Sequence, residues 1–201
     1  MATSTTDMRL SGGHAALELA NTVDSRRGRW GPDLLLGCDD IITLARRVGL
    51  LNEKQMTELS QLAKDQPQEA KKVLLEAIRL REAIYAIFLA EDGQKPYPKE
   101  PFAIVHDMAR RARARQVLCQ TDDGFRWVQP LDELADLVNL FAAQAAELLT
   151  NRHGRRPVRS CKGDNCGWLF LDTSKSGRRL WCSEASCGTH ARVKRFREKK
   201  G

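Results

Sequence analysis

The sequence predicts a mainly helical α+β chain. A helical body with a small β-hairpin comes first, followed by a small, cysteine-pinned, treble-clef-like finger that ends in a basic helix. Three observations carry that expectation. Apolar residues recur at helical spacing over most of residues 14–151, with one hairpin signal among them. Four of the six cysteines fall in the last quarter of the chain, in two close pairs. Charge divides at the same place: residues 1–150 hold 19 Lys and Arg against 22 Asp and Glu, net −3, while residues 151–201 hold 14 against 4, net +10. With 201 residues, 42% hydrophobic and 29% charged, the chain can bury a core, and its composition excludes collagen-like, disordered and coiled-coil classes. No apolar run approaches the ~18 residues of a spanning helix, and no basic segment followed by an apolar stretch opens the chain. The expectation is a cytoplasmic protein without a membrane partner.

Residues 1–12 are mostly small and polar and read as a frayed end. His14 to Val23 suits a short helix, followed by the charged, glycine-containing run Asp24 to Gly31. Asn21, Asp24, Arg26 and Arg27 cluster there, which fits either a solvated loop or a ligand pocket built on Asn21, Asp24 and Arg26. Asp39 or Asp40 can cap a helix carrying Ile41, Leu44, Ala45 and Val48, stopped by Gly49. Asn52 with Gln55 forms a capping box for a helix through Ala63. Pro67 suits the first turn of a long helix to about Glu91, with Leu80, Ile84, Ile87 and Phe88 on one stripe and Gly93 at its end. That stripe is core material, since no ligand-type residue interrupts it.

After the proline-rich turn at 96–101, Phe102 to Arg115 reads as a helix whose Arg110, Arg111, Arg113 and Arg115 form a solvated face. Gln116–Gln120 and Phe125–Gln129 flank Thr-Asp-Asp-Gly, a hairpin signal. Leu131 to Asn151 is amphipathic, with Leu134, Leu137, Val138, Phe141, Ala145 and Leu148 on one face. His153 to Pro157 is a linker, which divides the chain into a body of residues 1–152 and a finger of residues 153–201.

Cys161, Cys166, Cys182 and Cys187 read C-x4-C, fifteen intervening residues, C-x4-C, while Cys38 and Cys119 stand alone. Two close pairs joined by a hairpin-length insert suit one tetrahedral, structural Zn2+: each pair bends into a knuckle, and the insert returns the second pair to the first. Disulfides are the alternative, and a reducing compartment disfavours them. Trp168, Phe170 and Trp181 suit a small core around the metal, with base stacking as their competing use. Gly188 to Lys200 continues as a helix in which Val193 and Phe196 face the finger. Arg192, Arg195 and Lys199 fall on one cationic stripe and His190, Lys194 and Arg197 on another. A metal-pinned helix of this charge suits the backbone of double-stranded DNA, with Arg178 and Arg179 adding to the surface.

The segment Cys161-KGDN-Cys166-Gly-Trp-Leu-Phe-Leu-Asp172-Thr-Ser174, then Arg178-Arg-Leu-Trp-Cys182-Ser183, then Cys187-Gly188 resembles the CGNR zinc-finger proteins of bacteria. Leu17-Glu-Leu-Ala-Asn21-Thr-Val-Asp24 is similar to the start of the helical ABATE domain that precedes such fingers, so the resemblance spans nearly the whole chain. It implies the four cysteines as zinc ligands and a stress-induced transcription-regulator role. The chain departs from the pattern at Thr189 and His190, where the family carries Asn and Arg. His190 is only partly cationic at neutral pH.

Together these readings predict a DNA-binding transcriptional regulator whose body senses a small-molecule effector or forms a homodimer. The alternative is a zinc-stabilised RNA-binding or protein-interaction adaptor. No enzyme is expected: four thiolates leave zinc no open position, the four histidines stand singly, and no phosphate loop or nucleophile–base pairing appears.

Overall fold

Helix α4 (Pro67–Asp92) is the axis on which the other elements pack, in a computed structural model that describes residues 4–199. Before it come α1 (Ala15–Ala20), α2 (Cys38–Arg47) and α3 (Glu53–Asp65); after it come α5 (Lys99–Arg115), a hairpin of β1 (Val117–Thr121) and β2 (Gly124–Val128), and α6 (Asp136–Thr150). The finger holds β3 (Val158–Ser160) and β4 (Leu169–Leu171), paired antiparallel, then a wide helical turn at Glu184–Gly188 and α7 (Thr189–Glu198). The expected helix end at Lys200 and the first three residues lie outside the described residues. Among the described residues, no helix is long and apolar enough to cross a membrane.

Local sequence accounts for most of these boundaries. Asn52 Oδ1 accepts from Gln55 N at 2.9 Å and Gln55 Oε1 accepts from Asn52 N at 2.9 Å, a reciprocal capping box. Pro67 occupies the first helical position of α4, where a missing N–H costs nothing. Leu80, Ile84, Ile87 and Phe88 are buried as their spacing predicts.

Several expectations are corrected. Residues 4–12 are not a frayed end: Met8 and Thr5 are buried, and Arg47 donates to the Thr5 carbonyl. Gly37 takes the N-cap position of α2, while Asp40 reaches back from the first turn to accept from the amides of Leu36 (2.8 Å) and Gly37 (2.9 Å). Helix α5 begins at Lys99, because Pro101 sits in the first turn, where amides have no intrahelical partner. Helix α6 begins at Asp136, whose buried carboxylate accepts from Glu133 N at 3.3 Å and turns the preceding chain away from helix. The hairpin pairs Thr121 with Gly124, leaving Asp122 and Asp123 as a two-residue turn. The α5 arginines are not simply solvated. Arg111 forks onto Glu76 of α4 at 2.6 and 3.2 Å, and Arg115 reaches Asp136 of α6 at 2.8 Å, tying three helices together.

One apolar cluster runs from Met8 through α1 to α6 and on into Val158, Cys161, Cys166, Trp168, Leu169, Phe170 and Cys182. Trp168 and Phe170 therefore pack in a core shared with the body rather than in a separate core around the cysteines. A finger this small buries little apolar area alone, so seating it on α1 and α4 supplies what it lacks.

Candidate metal centre and its seat on the body

The first cysteine pair closes as a knuckle after β3. Cys161 N donates to Trp168 O at 2.7 Å, Cys166 N to Gly163 O at 3.3 Å, and Gly167 takes φ +77°, a left-handed conformation that turns the chain into β4. Lys162 N donates to Leu180 O at 2.9 Å, which brings the second pair alongside, and Cys182 N donates to Cys161 Sγ at 3.3 Å. The four Sγ atoms lie within 4.8 Å of one another, with Cys166–Cys182 at 3.6 Å and Cys182–Cys187 at 3.8 Å. A tetrahedron with Zn–S arms of ~2.3 Å has edges of ~3.8 Å, so the quartet has the dimensions of a zinc site. The separations are far beyond a disulfide's ~2.05 Å. Two backbone amides point at the Cys161 sulfur, Cys182 N at 3.3 Å and Gly163 N at 3.5 Å, an arrangement that suits a thiolate. Cys161, Cys166, Cys182 and Cys187 hold one structural Zn2+ as thiolates, and the ion fixes the two knuckles against each other.

Asp172 organises the loop between the pairs, accepting from Ser174 N (3.0 Å), Ser174 Oγ (2.6 Å) and Arg179 N (2.8 Å). Burial raises the Asp172 pKa, but these hydrogen bonds outweigh it and keep the carboxyl below its usual range. Arg179 is spent inside the finger: it donates to Trp181 O at 2.7 Å and to Cys182 O, and lies 4.7 Å over the Phe170 ring. It therefore frames the second knuckle and does not join the outward surface on which it was expected.

The knuckle rests in a socket formed by the segment after α1. Asn21 Nδ2 donates to Leu169 O at 2.9 Å while Asn21 Oδ1 accepts from Leu169 N at 2.8 Å. Trp168 Nε1 donates to Val23 O at 2.7 Å, Arg26 N to Cys166 O at 2.6 Å, and Tyr85 Oη to Gly167 O at 3.0 Å. The Arg26 guanidinium forks onto Glu82 at 2.8 and 3.0 Å, donates to Ala20 O at 3.0 Å, and stacks 4.1 Å over Tyr85. Asn21 and Arg26 are thus the socket itself, not the walls of a ligand pocket: every polar atom of their side chains is turned to protein. Asp24 does line a groove of about 1380 Å³ between this loop and the finger. Glu82 and Tyr85 were not singled out by sequence, since on α4 they read as ordinary flanking residues.

The wide turn carrying Cys187 runs directly into α7. Thr189 Oγ1 donates to Glu184 O at 3.2 Å, and His190 Nδ1 lies 3.0 Å from Ser186 O, outside the sulfur quartet. Val193 and Phe196 are 43% and 59% exposed, so neither is buried against the finger as their spacing suggested. The helix is placed by its continuation from the turn that carries Cys187, and two solvent-exposed ion pairs lie along it: Arg192 to Glu184 at 2.9 Å and Lys194 to Asp164 of the first knuckle at 2.7 Å. Arg178, Arg195, Arg197 and Lys199 are exposed and form no ion pair among the described residues.

Residues 13–152 match the ABATE family model, described as "Putative stress-induced transcription regulator", and residues 157–200 match the CGNR zinc-finger model. No curated protein matches the chain. The chain belongs to the ABATE family and carries a CGNR zinc finger at its carboxyl end.

Proposed function

We propose that the protein is a DNA-binding transcriptional regulator of the cytoplasm, with α7 as the contact element and the body as the part that senses a small effector or dimerises. One observation carries this reading. A helix that runs directly from the ligand Cys187 carries Arg195, Arg197 and Lys199 on its exposed surface, and neither these nor Arg178 of the finger loop form an ion pair among the described residues. Cations held on a pre-positioned helix suit phosphate contact, whose affinity depends on the number of charges neutralised. The zinc is structural in this reading and no catalysis is assigned, because four thiolates complete its coordination.

Genomic fragments captured by the zinc-loaded protein test the proposal: a recurring duplex sequence supports it. Recovery of RNA or of an acidic protein, with no enriched duplex, would move the assignment to an adaptor.

A further inference from the structure

The groove between body and finger has a second cationic wall. Arg27, Gly28, Arg29 and Trp30 are consecutive and all exposed, with the Trp30 indole at 61%. The Arg26 guanidinium lies 5.6 Å from the centre of the Trp30 ring, which holds the indole at the tip while leaving most of it open to solvent. The loop beneath it is nevertheless firmly built. Asp24 N donates to Pro32 O at 3.0 Å and Gly31 N to Ser25 O at 2.9 Å, closing its base. Buried Arg26 anchors its start through Glu82 and through Cys166 O. Gly28, at φ +68°, presses on the first knuckle so closely that an added Cβ would lie 2.5 Å from Asn165 Oδ1 and from Asp164 O.

Arg29 and Trp30 line the same groove as His190, Lys194 and Arg195 of α7. Four acidic residues line it too: Asp164 and Glu198 face Lys194 at 2.7 and 3.9 Å, while Asp7 and Asp24 lie on the body side. Arg27 and Arg29 form no ion pair among the described residues, although the body as a whole is net negative. The Arg29 guanidinium and the Trp30 indole on the groove wall, with exposed Arg27 beside them on a loop built against the first knuckle, match the chemistry of a duplex backbone: phosphates for the arginines, a sugar face for the indole.

We infer that the Arg27–Trp30 tip is a second nucleic-acid contact, gripping across the groove the same molecule that α7 holds. This rests on the reading given under Proposed function, and it assigns part of the affinity to the body rather than to the finger alone. The test uses full-length, zinc-loaded protein and a labelled DNA duplex recovered by capture, titrated over a range of salt. Arg27→Ala with Arg29→Ala should flatten the salt slope by about two units, at roughly 0.9 per phosphate contact. Trp30→Ala should weaken binding while Trp30→Phe keeps most of it, as for a ring packed on the sugar backbone. Zinc content and melting temperature of the arginine variant and of Trp30→Phe should equal the parent's, since the arginine side chains are exposed and Phe keeps a ring over Arg26. If the parent binds and the loop variants bind with unchanged affinity and slope, the tip is overturned and the α7 reading stands. If the parent binds no duplex, both fall.

Discussion

Asn21 meets the backbone of Leu169 from both sides, donating through Nδ2 at 2.9 Å and accepting through Oδ1 at 2.8 Å, although 148 residues separate them in sequence. A side-chain amide thus acts as one more rung on the edge of β4, and α1 is joined to the strand that leaves the first zinc knuckle.

Asn21 is fully buried, so removing its carboxamide strands a buried amide and a buried carbonyl of Leu169. Asn21→Ala should therefore cost about 2–4 kcal/mol. A lower urea midpoint at unchanged m-value checks this, and a chelator should also extract zinc faster from the variant. A midpoint within experimental error of the parent's would show that water replaces the carboxamide without loss.

Zinc removal should reach into the body. Cys161, Cys166, Trp168, Phe170 and Cys182 belong to the same apolar cluster as Leu17, Leu19, Ile84 and Phe88, so the knuckles are not an appended bead. Structural zinc contributes roughly 10–16 kcal/mol in isolated finger peptides, enough to govern a shared core. Circular dichroism of Cys166→Ser or of chelated protein should show the helical melting temperature falling with the metal. A body that melts where the holo protein does would mean that two independent units fold side by side.

Glu18 gives the fold a pH dependence. It is 4% exposed; Oε1 accepts from Gly12 N at 2.7 Å and Gly13 N at 3.1 Å, while Oε2 has no hydrogen-bond partner. Burial is the largest influence and raises its pKa from 4.5 to about 7, against the pull of the Gly13, Gly12 and Ser11 amides and of Arg47. A carboxyl raised on folding favours the protonated native state. Its contribution is complete below the unfolded value, falls as pH rises through the folded value, and is flat above. Stability should therefore drop by about 3 kcal/mol between pH 4.5 and 7 on account of this group. Glu18→Gln should flatten that segment of the stability–pH curve and be the more stable protein at pH 8. A parent curve that rises steadily across the same range in step with the variant's would refute this.

The parts legible in sequence were those whose cause is local. The C-x4-C pairs announce a metal because ligand spacing is a property of a few neighbouring residues, and the Asn52–Gln55 box and Pro67 mark helix starts for the same reason. Asn21 and Arg26 stood out as polar residues after an apolar helix, yet sequence does not tell a solvated cluster from a buried socket when the partners are a distant backbone and Glu82 of α4. Arg111 and Arg115 misled in the same way, since their acidic partners lie on other helices. Val193 and Phe196 show a further limit. Periodicity states which residues share a helix face, not how deeply that face is buried, and in α7 no residue is buried.

The central claim, that a zinc-fixed α7 carries duplex affinity through its outward cations, is tested most directly by the salt dependence of binding. With four to six phosphate contacts, log affinity should fall with log salt at a slope of about −4 to −5 for the zinc-loaded parent. Arg195→Ala with Arg197→Ala should weaken binding on every duplex tried and flatten the slope by about two units, leaving zinc content and melting unchanged. A double variant that binds as tightly as the parent, with the same slope, would contradict the account and leave α7 outside the contact surface.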